Sequence, residues 1–279
     1  MLEEHTIVLM LNTESCPLTN PLSSFRSDMK LCIPPLLCLA VAFSSAFVIS
    51  PPHMWTKLIL THHWPSTFCS MEKPACHPNI SYWTLHGLWP DKGIVCNSSW
   101  HFNSSLLEDL LPDMKKSWPN LLSPSSASFW KYEWHKHGTC AAKAASLNTQ
   151  HKYFSKALEL YHKLDLDSIL KKFDIVPSAT YYKLSQIEGV IENFYNVKPK
   201  IQCVHPSKNP DVQILGQIEI CLDPDFTLMD CEKHLTTEKM SKGDWKNLIV
   251  DDKASGFSVC DLNVPVYYPP LPSTHERTN

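Results

Sequence analysis

The stretch Asp211-Val-Gln-Ile-Leu-Gly-Gln-Ile-Glu-Ile-Cys-Leu222 has the plainest strand character in this 279-residue chain, within a strand-like region over 197–222. Two further strands are predicted earlier in the chain, at 55–64 and 82–86. The tail Val264-Pro-Val-Tyr-Tyr-Pro-Pro270 has the pattern of an extended edge segment. Strands are therefore expected on both sides of the middle of the chain.

Helical patterns fill the middle of the chain. They cover 105–118, 128–137, 151–173 (as one or two amphipathic helices) and 184–195. Because these helices cluster between strands instead of alternating with them, the sequence predicts an α+β fold with a mainly antiparallel central sheet and flanking helices. With 43% hydrophobic residues and nine tryptophans, the chain has ample material for a packed core, which excludes disorder along its whole length.

The N-terminal region has the pattern of a secretory signal peptide. Met29-Lys30 is a short basic start, the apolar run Leu31 to Phe43 follows, and Ser44-Ser45-Ala46 offers a cleavage site. A membrane anchor is the alternative, but the run is shorter than the roughly 20 apolar residues of a membrane span, so stable membrane insertion is not expected. The predicted organisation is an unassigned extension at 1–28, a signal peptide at 29–46 and one mature domain at 47–279.

The cysteines agree with export. The chain has 11, of which three precede the proposed cleavage site, and an even number in an exported chain is typical of a disulfide framework. The eight that remain are Cys69, Cys76, Cys96, Cys140, Cys203, Cys221, Cys231 and Cys260. Spacing alone leaves 105 pairings open, although the short intervals 69–76 and 221–231 suggest local bridges. A zinc site fits worse, because these cysteines form no close Cys-x-x-Cys pair.

Glycosylation sequons and charge add to this picture. Asn79, Asn97 and Asn103 each begin an N-glycosylation acceptor sequence. Removal of residues 1–46 takes away two basic and four acidic residues, which leaves 23 basic and 24 acidic residues with 13 histidines. Exposed histidines gain a proton near pH 5, since their ordinary pKa is about 6.5. The mature chain is thus nearly neutral at pH 7 but cationic, and suited to a polyanion such as RNA, in an acidic compartment.

Two histidines in aromatic-rich motifs are the candidate reactive groups. His86 lies in Ser81-Tyr-Trp-Thr-Leu-His-Gly-Leu-Trp-Pro90, and His137 lies in Phe129-Trp-Lys-Tyr-Glu-Trp-His-Lys-His-Gly-Thr-Cys140. Strand alternation is expected to turn His86 away from the core. One imidazole can accept a proton while the other donates one, which is what transfer of a phosphodiester to a neighbouring 2′-hydroxyl requires.

A helix over the second motif would bring four side chains to one face: Tyr132, Glu133, Lys136 and His137. There Lys136 can stabilise the negative charge of a five-coordinate phosphorane. His137 is the natural base for a ribose hydroxyl. Glu133 can orient the imidazole or, when protonated, donate to a phosphoryl oxygen.

Simpler interpretations compete with this one. A Glu-x-x-Lys-His sequence is most often a solvated helix face, and a single histidine such as His86 is most often structural. A metal pair at His135 and His137 is disfavoured, because a two-residue spacing divides the ligands between opposite sides of a helix. Cys140 is a candidate nucleophile, but an exported chain with eight cysteines favours a disulfide there.

Context decides between them. Trp83-Thr-Leu-His-Gly-Leu-Trp-Pro-Asp91 and Phe129-Trp-x-x-Glu-Trp-x-Lys-His-Gly-Thr-Cys140 closely resemble the two active-site segments of the ribonuclease T2 family, which comprises exported, acid-active ribonucleases. The resemblance covers roughly residues 55–270, includes His63-Trp-Pro65 and the eight cysteines, and is closest to the animal lysosomal and secreted members.

The resemblance implies a role for each candidate residue. His137 would be the general base on the 2′-hydroxyl, His86 the acid on the leaving 5′-oxygen, and Glu133 with Lys136 the stabilisers of the transition state. The implied RNA-binding residues are Trp89 and Asp91 upstream of the cut, Phe129 downstream of it, and Tyr132 at the phosphate. The implied disulfides are Cys69–Cys76, Cys96–Cys140, Cys203–Cys260 and Cys221–Cys231. The protein would be a single-domain, secreted or lysosomal monomer that cleaves single-stranded RNA through a 2′,3′-cyclic phosphate without metal or cofactor.

Two positions depart from the family pattern. Tyr132 stands where the family has a phosphate-binding histidine, and His62 stands where animal members usually have glutamine, so base preference or affinity is expected to change there. A charged hydrogen bond contributes about 1.5–3 kcal/mol and a neutral one about 0.5–1.5 kcal/mol. Loss of the charge therefore predicts a roughly 5–30-fold weaker enzyme. The alternative function is a secreted glycoprotein with impaired catalysis that acts by binding RNA or a protein.

Overall fold

The computed structural model describes residues 55–71, 80–206, 209, 211–231 and 256–271, which all belong to one compact unit. Its centre is an eight-stranded sheet. The strands are β1 (Leu58–His63), β2 (Thr84–Pro90), β3 (Tyr181–Tyr182), β4 (Lys200–Val204), β5 (Gln213–Leu222), β6 (Leu228–Met229), β7 (Ser258–Val259) and β8 (Val266–Tyr267).

The sheet has the order β2-β1-β5-β4-β7, so the strand predicted at 211–222 occupies its middle. Strand β6 pairs with β5, and β8 pairs with both β3 and β5. Neighbouring strands run antiparallel except β5 and β8, which are parallel. The predicted α+β fold with a mainly antiparallel sheet is confirmed, with this one parallel pairing making the sheet mixed.

Helices lie mostly between β2 and β4 in the chain. They are α1 (Pro65–Met71), α2 (Leu111–Ser117), α3 (Ala127–Glu133), α4 (Thr139–Ala141), α5 (Gln150–Leu164), α6 (Leu166–Lys172) and α7 (Leu184–Tyr195). The region 151–173, predicted as one or two helices, forms two that meet at Asp165. This residue adopts a left-handed conformation with φ of 41°, and its carboxylate accepts from the Ser168 amide to cap α6. The helix predicted over 128–137 also divides, because α3 passes into a π-helical segment, Trp134–Gly138, before α4.

Large aromatic side chains fill the core between helices and sheet, and each buried indole is also hydrogen-bonded. Trp83 donates to the Tyr268 hydroxyl at 2.9 Å, and Trp118 donates to the backbone oxygen of His86 at 2.7 Å. Burial of these rings away from water is the main driving force for this packing. The bond from Trp118 ties the core directly to the backbone of a candidate catalytic residue.

Three of the expected disulfides are present: Cys96–Cys140, Cys203–Cys260 and Cys221–Cys231. The first joins the loop after β2 to α4, so it links the segments that follow both histidine motifs. Partner Cys76 of the fourth expected bridge lies outside the described residues, as do the sequon at Asn79 and the predicted segments 1–28 and 29–46. Within the described part of the chain, no helix is long and apolar enough to cross a membrane.

Candidate active site

A β-bulge places His86. Thr61 of β1 pairs with Gly87, and the next residue, His62, pairs with Leu85, so His86 is an extra residue on β2. A bulge of this kind bends the strand and redirects a side chain. A Cβ atom added to Gly87 would lie 2.1 Å from the indole nitrogen of Trp89 and 2.4 Å from a Glu133 carboxylate oxygen, so only glycine fits beside the bulge.

The imidazole of His86 is held on several sides. Its Nδ1 lies 3.0 Å from the side-chain oxygen of Gln217, and its ring centre lies 3.6 Å from that of His63. The edge of Trp89 contacts it at a centroid distance of 4.6 Å. Burial lowers the pKa of His86 to about 4, opposed by the Gln217 hydrogen bond and reinforced by the charge of Lys136.

The π-helical turn orients the residues of the second motif. The amide of Thr139 donates to the carbonyl of Trp134, five residues earlier, which widens the turn relative to an α-helix. Glu133 and His137 are buried, whereas Tyr132 is 52% exposed. The Lys136 ammonium lies 5.4 Å from the centre of the Tyr132 ring. The predicted single face is therefore divided into a buried pair and an outer pair.

Glu133 lies beside Trp89 and His86. One carboxylate oxygen accepts from the Trp89 indole at 2.8 Å, and the other lies 4.0 Å from Nε2 of His86 and has no hydrogen-bond partner within the described residues. Burial raises the pKa of Glu133 to about 8, although the Trp89 hydrogen bond and the Lys136 charge oppose the shift. The group is therefore a neutral acid at acidic and neutral pH and can donate a hydrogen bond.

His137 packs against Trp89. The two rings stack with centroids 5.0 Å apart and planes 27° apart. Burial, and then the charges of Lys136 and His86, lower the pKa of His137 well below 6.5. The lowered pKa favours the neutral imidazole, which is the state that a general base needs. The structure thus brings together all four predicted catalytic residues.

The predicted binding residues lie at different distances from this centre. Phe129 is partly buried, with its ring 5.9 Å from that of His86. The Asp91 carboxylate accepts from the amide and hydroxyl of Thr56 at 2.8 and 3.0 Å and from the Lys57 amide at 3.1 Å. Asp91 therefore anchors the start of β1, and its contact with RNA stays a prediction.

Sequence reasoning missed two residues of the site, His63 and Gln217. Both are buried polar residues that contact His86. Strand alternation could have placed Gln217 on one face of β5, but it does not show which strand lies opposite. His62 points to the other face of the sheet, as alternation requires, and stacks on Tyr161 at 5.8 Å. The structure thus puts His62 in the core, away from His86, and leaves its effect on base preference a prediction.

Two of the predicted glycosylation sites, and the histidine of the disfavoured metal pair that precedes Lys136, lie at the surface. Asn97 and Asn103 are exposed, as a glycosylation site requires, and their use stays a prediction. His135 is exposed and, in the part of the chain that the structure describes, no group of three or more His, Cys, Asp or Glu side chains is placed to hold a metal ion.

Comparisons with known proteins point to one family. The model of the ribonuclease T2 family matches residues 55–231. Ribonuclease T2 of Danio rerio is 58% identical over 240 residues, which cover 84% of this chain and 98% of that protein. The crystal structure of human RNase T2 gives a TM-score of 0.65 at 44% identity and covers 77% of this chain and 99% of that one. A mutant of RNase MC1, from bitter gourd seeds, in complex with 5′-UMP gives 0.59 at 26% identity, over 63% and 93%.

Proposed function

Because the chain belongs to the ribonuclease T2 family and is thereby an endoribonuclease, we propose that it cleaves single-stranded RNA by acid–base transphosphorylation. The observation that supports this mechanism is that His86 and His137 both contact the ring of Trp89, whose indole nitrogen donates to Glu133. Two imidazoles beside one protonated carboxyl group can move a proton onto and off a single phosphodiester.

In the first step His137 accepts the proton of the ribose 2′-hydroxyl. The 2′-oxygen then bonds to phosphorus, the bond from phosphorus to the 5′-oxygen breaks, and His86 gives its proton to that oxygen. The products are a 2′,3′-cyclic phosphate and a free 5′-hydroxyl. Water can open the cyclic phosphate with the two histidines in exchanged roles.

Glu133 and Lys136 are proposed to stabilise the phosphorane. Burial keeps Glu133 protonated, so its free oxygen can donate a hydrogen bond to a phosphoryl oxygen without adding negative charge. The Lys136 ammonium supplies positive charge at the same site. Donors that are already oriented in a buried site stabilise developing charge more strongly than donors in water.

The proposed substrate contacts are aromatic. Trp89 and Phe129 lie beside His86, and Tyr132 lies beside Lys136. Stacking on aromatic rings tolerates every base. The complex of RNase MC1 with 5′-UMP supports nucleotide binding by this fold. Tyr132 carries no positive charge, so we propose that it weakens the enzyme without abolishing activity.

We further propose that the protein acts as a monomer along the secretory route, as a secreted or lysosomal glycoprotein. The signal-like segment 29–46, the sequons and the disulfides support this proposal. Disulfides persist in oxidising compartments and are rare in the cytosol.

A cleavage assay with single-stranded RNA across pH 4–7 in excess chelator tests the mechanism. Cleavage is expected to continue in chelator and to fall about 10²–10⁴-fold in His137→Ala, the range for loss of one acid–base group. His135→Ala, an exposed neighbour, is the matched control and should retain activity. Cleavage that needs a metal, or that survives His137→Ala, contradicts the mechanism. No cleavage by either the parent or Tyr132→His would favour a binding protein instead.

A further inference from the structure

A row of buried polar side chains crosses the central sheet beneath His86. Cross-strand pairing sets His63 opposite Gln217 and Gln217 opposite Gln202, with a second row two residues along the strands. The second row comprises Thr61, Glu219 and Lys200. Burial of a polar group in a protein interior costs free energy unless the group is hydrogen-bonded, so we expect the side chains in these rows to bond to one another.

Hydrogen bonds fix the orientation of the Gln217 amide. Its nitrogen donates to the side-chain oxygen of Gln202 and, at 3.3 Å, to a carboxylate oxygen of Glu219. Its oxygen is thereby directed at Nδ1 of His86, 3.0 Å away. A reversed amide would set its oxygen against the Glu219 carboxylate, and two acceptors repel each other. Gln217 therefore offers His86 an acceptor.

An acceptor at Nδ1 decides which nitrogen of His86 exchanges the catalytic proton. Nδ1 keeps its hydrogen in both the neutral and the charged imidazole, so Nε2, which points toward Glu133, is the atom that gains and loses a proton. We propose that Gln217 is a positioning residue that holds the general acid His86 in the Nδ1–H tautomer, with Nε2 directed at the leaving oxygen. This inference rests on the proposed function, in which His86 is the acid.

Other ionisable groups also face His86, and they belong to every element around it. They are Glu133, Lys136 and His137 from the second motif, His63 from β1, and Glu219 and Lys200 behind Gln217. Of the side chains that face His86, Gln217 is hydrogen-bonded to Nδ1, whereas the stacked ring of His63 fixes the plane of the imidazole. The Gln217 amide therefore determines which nitrogen of His86 carries the hydrogen, and the His63 ring determines the plane of the imidazole.

The matched pair Gln217→Met and Gln213→Met tests the role of this amide. Gln213 is a buried glutamine on the same strand, and its amide is held by the carbonyls of Asp261 and Val264, both at 2.7 Å. Each variant is assayed on a dinucleotide, whose leaving alcohol needs a proton, and on a nucleoside 3′-(4-nitrophenyl phosphate), whose leaving phenolate does not.

Gln217→Met is expected to lower kcat/KM for the dinucleotide roughly 10- to 100-fold, because general acid catalysis is impaired. The nitrophenyl ester should be affected much less, and Gln213→Met should leave the ratio of the two rates unchanged. An equal loss on both substrates would make Gln217 a structural residue and overturn the proposal. If Gln217→Met does not fold, Gln202→Met, which removes an anchor of the amide, should change the ratio in the same direction.

A ¹⁵N–¹H correlation spectrum of the histidine rings at pH 7 gives a readout that is independent of activity. The neutral His86 of the parent should show its proton on Nδ1, and Gln217→Met should move part of the population to Nε2–H. A parent that shows Nε2–H overturns the role of Gln217 whatever the activity. Dinucleotide cleavage that survives His86→Ala would instead count against the proposed function. The tautomer of His86 would still test whether Gln217 positions this imidazole.

Discussion

The two halves of the active site are built in different ways. The half on the sheet consists of His86, His63 and Gln217, which come from three strands and are buried against one another. The half on the helix consists of consecutive turns of one segment, in which Glu133 and His137 are buried but Tyr132 is half exposed. Contacts distant in sequence thus fix the acid, whereas a local π-turn positions the base.

This difference explains why a substitution at Tyr132 is compatible with the rest of the site. The ring is half exposed beside the Lys136 ammonium, whereas the hydrogen bond that orients His86 comes from Gln217 on β5. A change at the edge alters the charge near the phosphate and leaves the acid–base pair in place. The sheet half has no comparable room, so a change there should be far more damaging.

Gly87→Ala is the most direct way to break the sheet half. The added methyl would lie within 2.4 Å of both Trp89 and Glu133, so it should displace the bond between them and the imidazole beside it. Overpacking of this kind costs about 1–3 kcal/mol of folding free energy. We expect kcat/KM for RNA to fall by roughly 100-fold or more, the scale of losing one aligned acid–base group.

Gly189→Ala is the matched control for this substitution. A Cβ atom at Gly189 meets nothing within 4 Å, and the residue lies inside α7. Alanine is favoured over glycine in a helix interior by about 0.5–1 kcal/mol, so this variant should be slightly more stable and fully active. Thermal unfolding and steady-state kinetics of both variants make the comparison. If Gly87→Ala is as active as Gly189→Ala, the sheet half is more tolerant than its packing indicates.

The same division decides what the sequence could predict. The residues of the helix half can be predicted from the sequence, because they are nearly contiguous and one turn of helix brings them together. The residues of the sheet half cannot, because strand alternation gives the face on which a residue lies but not its partner on the next strand. Gln217 and His63 are therefore not identified as site residues by the sequence. Both irregularities of the site, the bulge at His86 and the π-turn at Trp134–Gly138, add a residue to a regular element. Hydrophobic periodicity does not predict such an inserted residue.

The pH dependence of catalysis compares the halves by their charge states. Burial sets the pKa of His86 at about 4, so above pH 4 its protonated fraction in the free enzyme falls about 10-fold per pH unit. The lowered pKa of His137 favours its neutral form, and Glu133, whose pKa is raised to about 8, stays protonated between pH 5 and 7. We therefore expect kcat/KM to fall as the pH rises from 5 to 7.

Bound RNA should move this descending limb. A phosphate beside His86 favours the imidazolium, so the limb in kcat should lie at higher pH than the limb in kcat/KM. The contribution of His86 to the free energy of unfolding changes with pH in the opposite direction. Folding lowers its pKa from the ordinary 6.5, so this contribution is lost as the pH falls from 6.5 toward 4. Circular dichroism at each pH separates the two effects. A kcat/KM that rises from pH 5 to 7 would show that deprotonation of another group limits the rate.

Tyr132→His tests the exposed edge, where the smallest effect is expected. A protonated histidine there can form a charged hydrogen bond to the phosphate where the tyrosine hydroxyl forms a neutral one, a difference of about 1–2 kcal/mol. At pH 5 this should raise kcat/KM about 5–30-fold, with little change in stability because the side chain is half exposed. Tyr132→Phe is the matched control: it keeps the ring beside Lys136 and removes only the hydroxyl, so it should lower the rate.

The pair of variants also decides which half limits the enzyme. If Tyr132→His raises kcat/KM and Tyr132→Phe lowers it, phosphate binding at the helix edge limits catalysis. The buried acid on the sheet is then already well placed. If both variants match the parent, the hydroxyl makes no contact with the phosphate in the transition state. The rate would then depend on how well Gln217 and the bulge hold His86, and improvement would have to come from the sheet half.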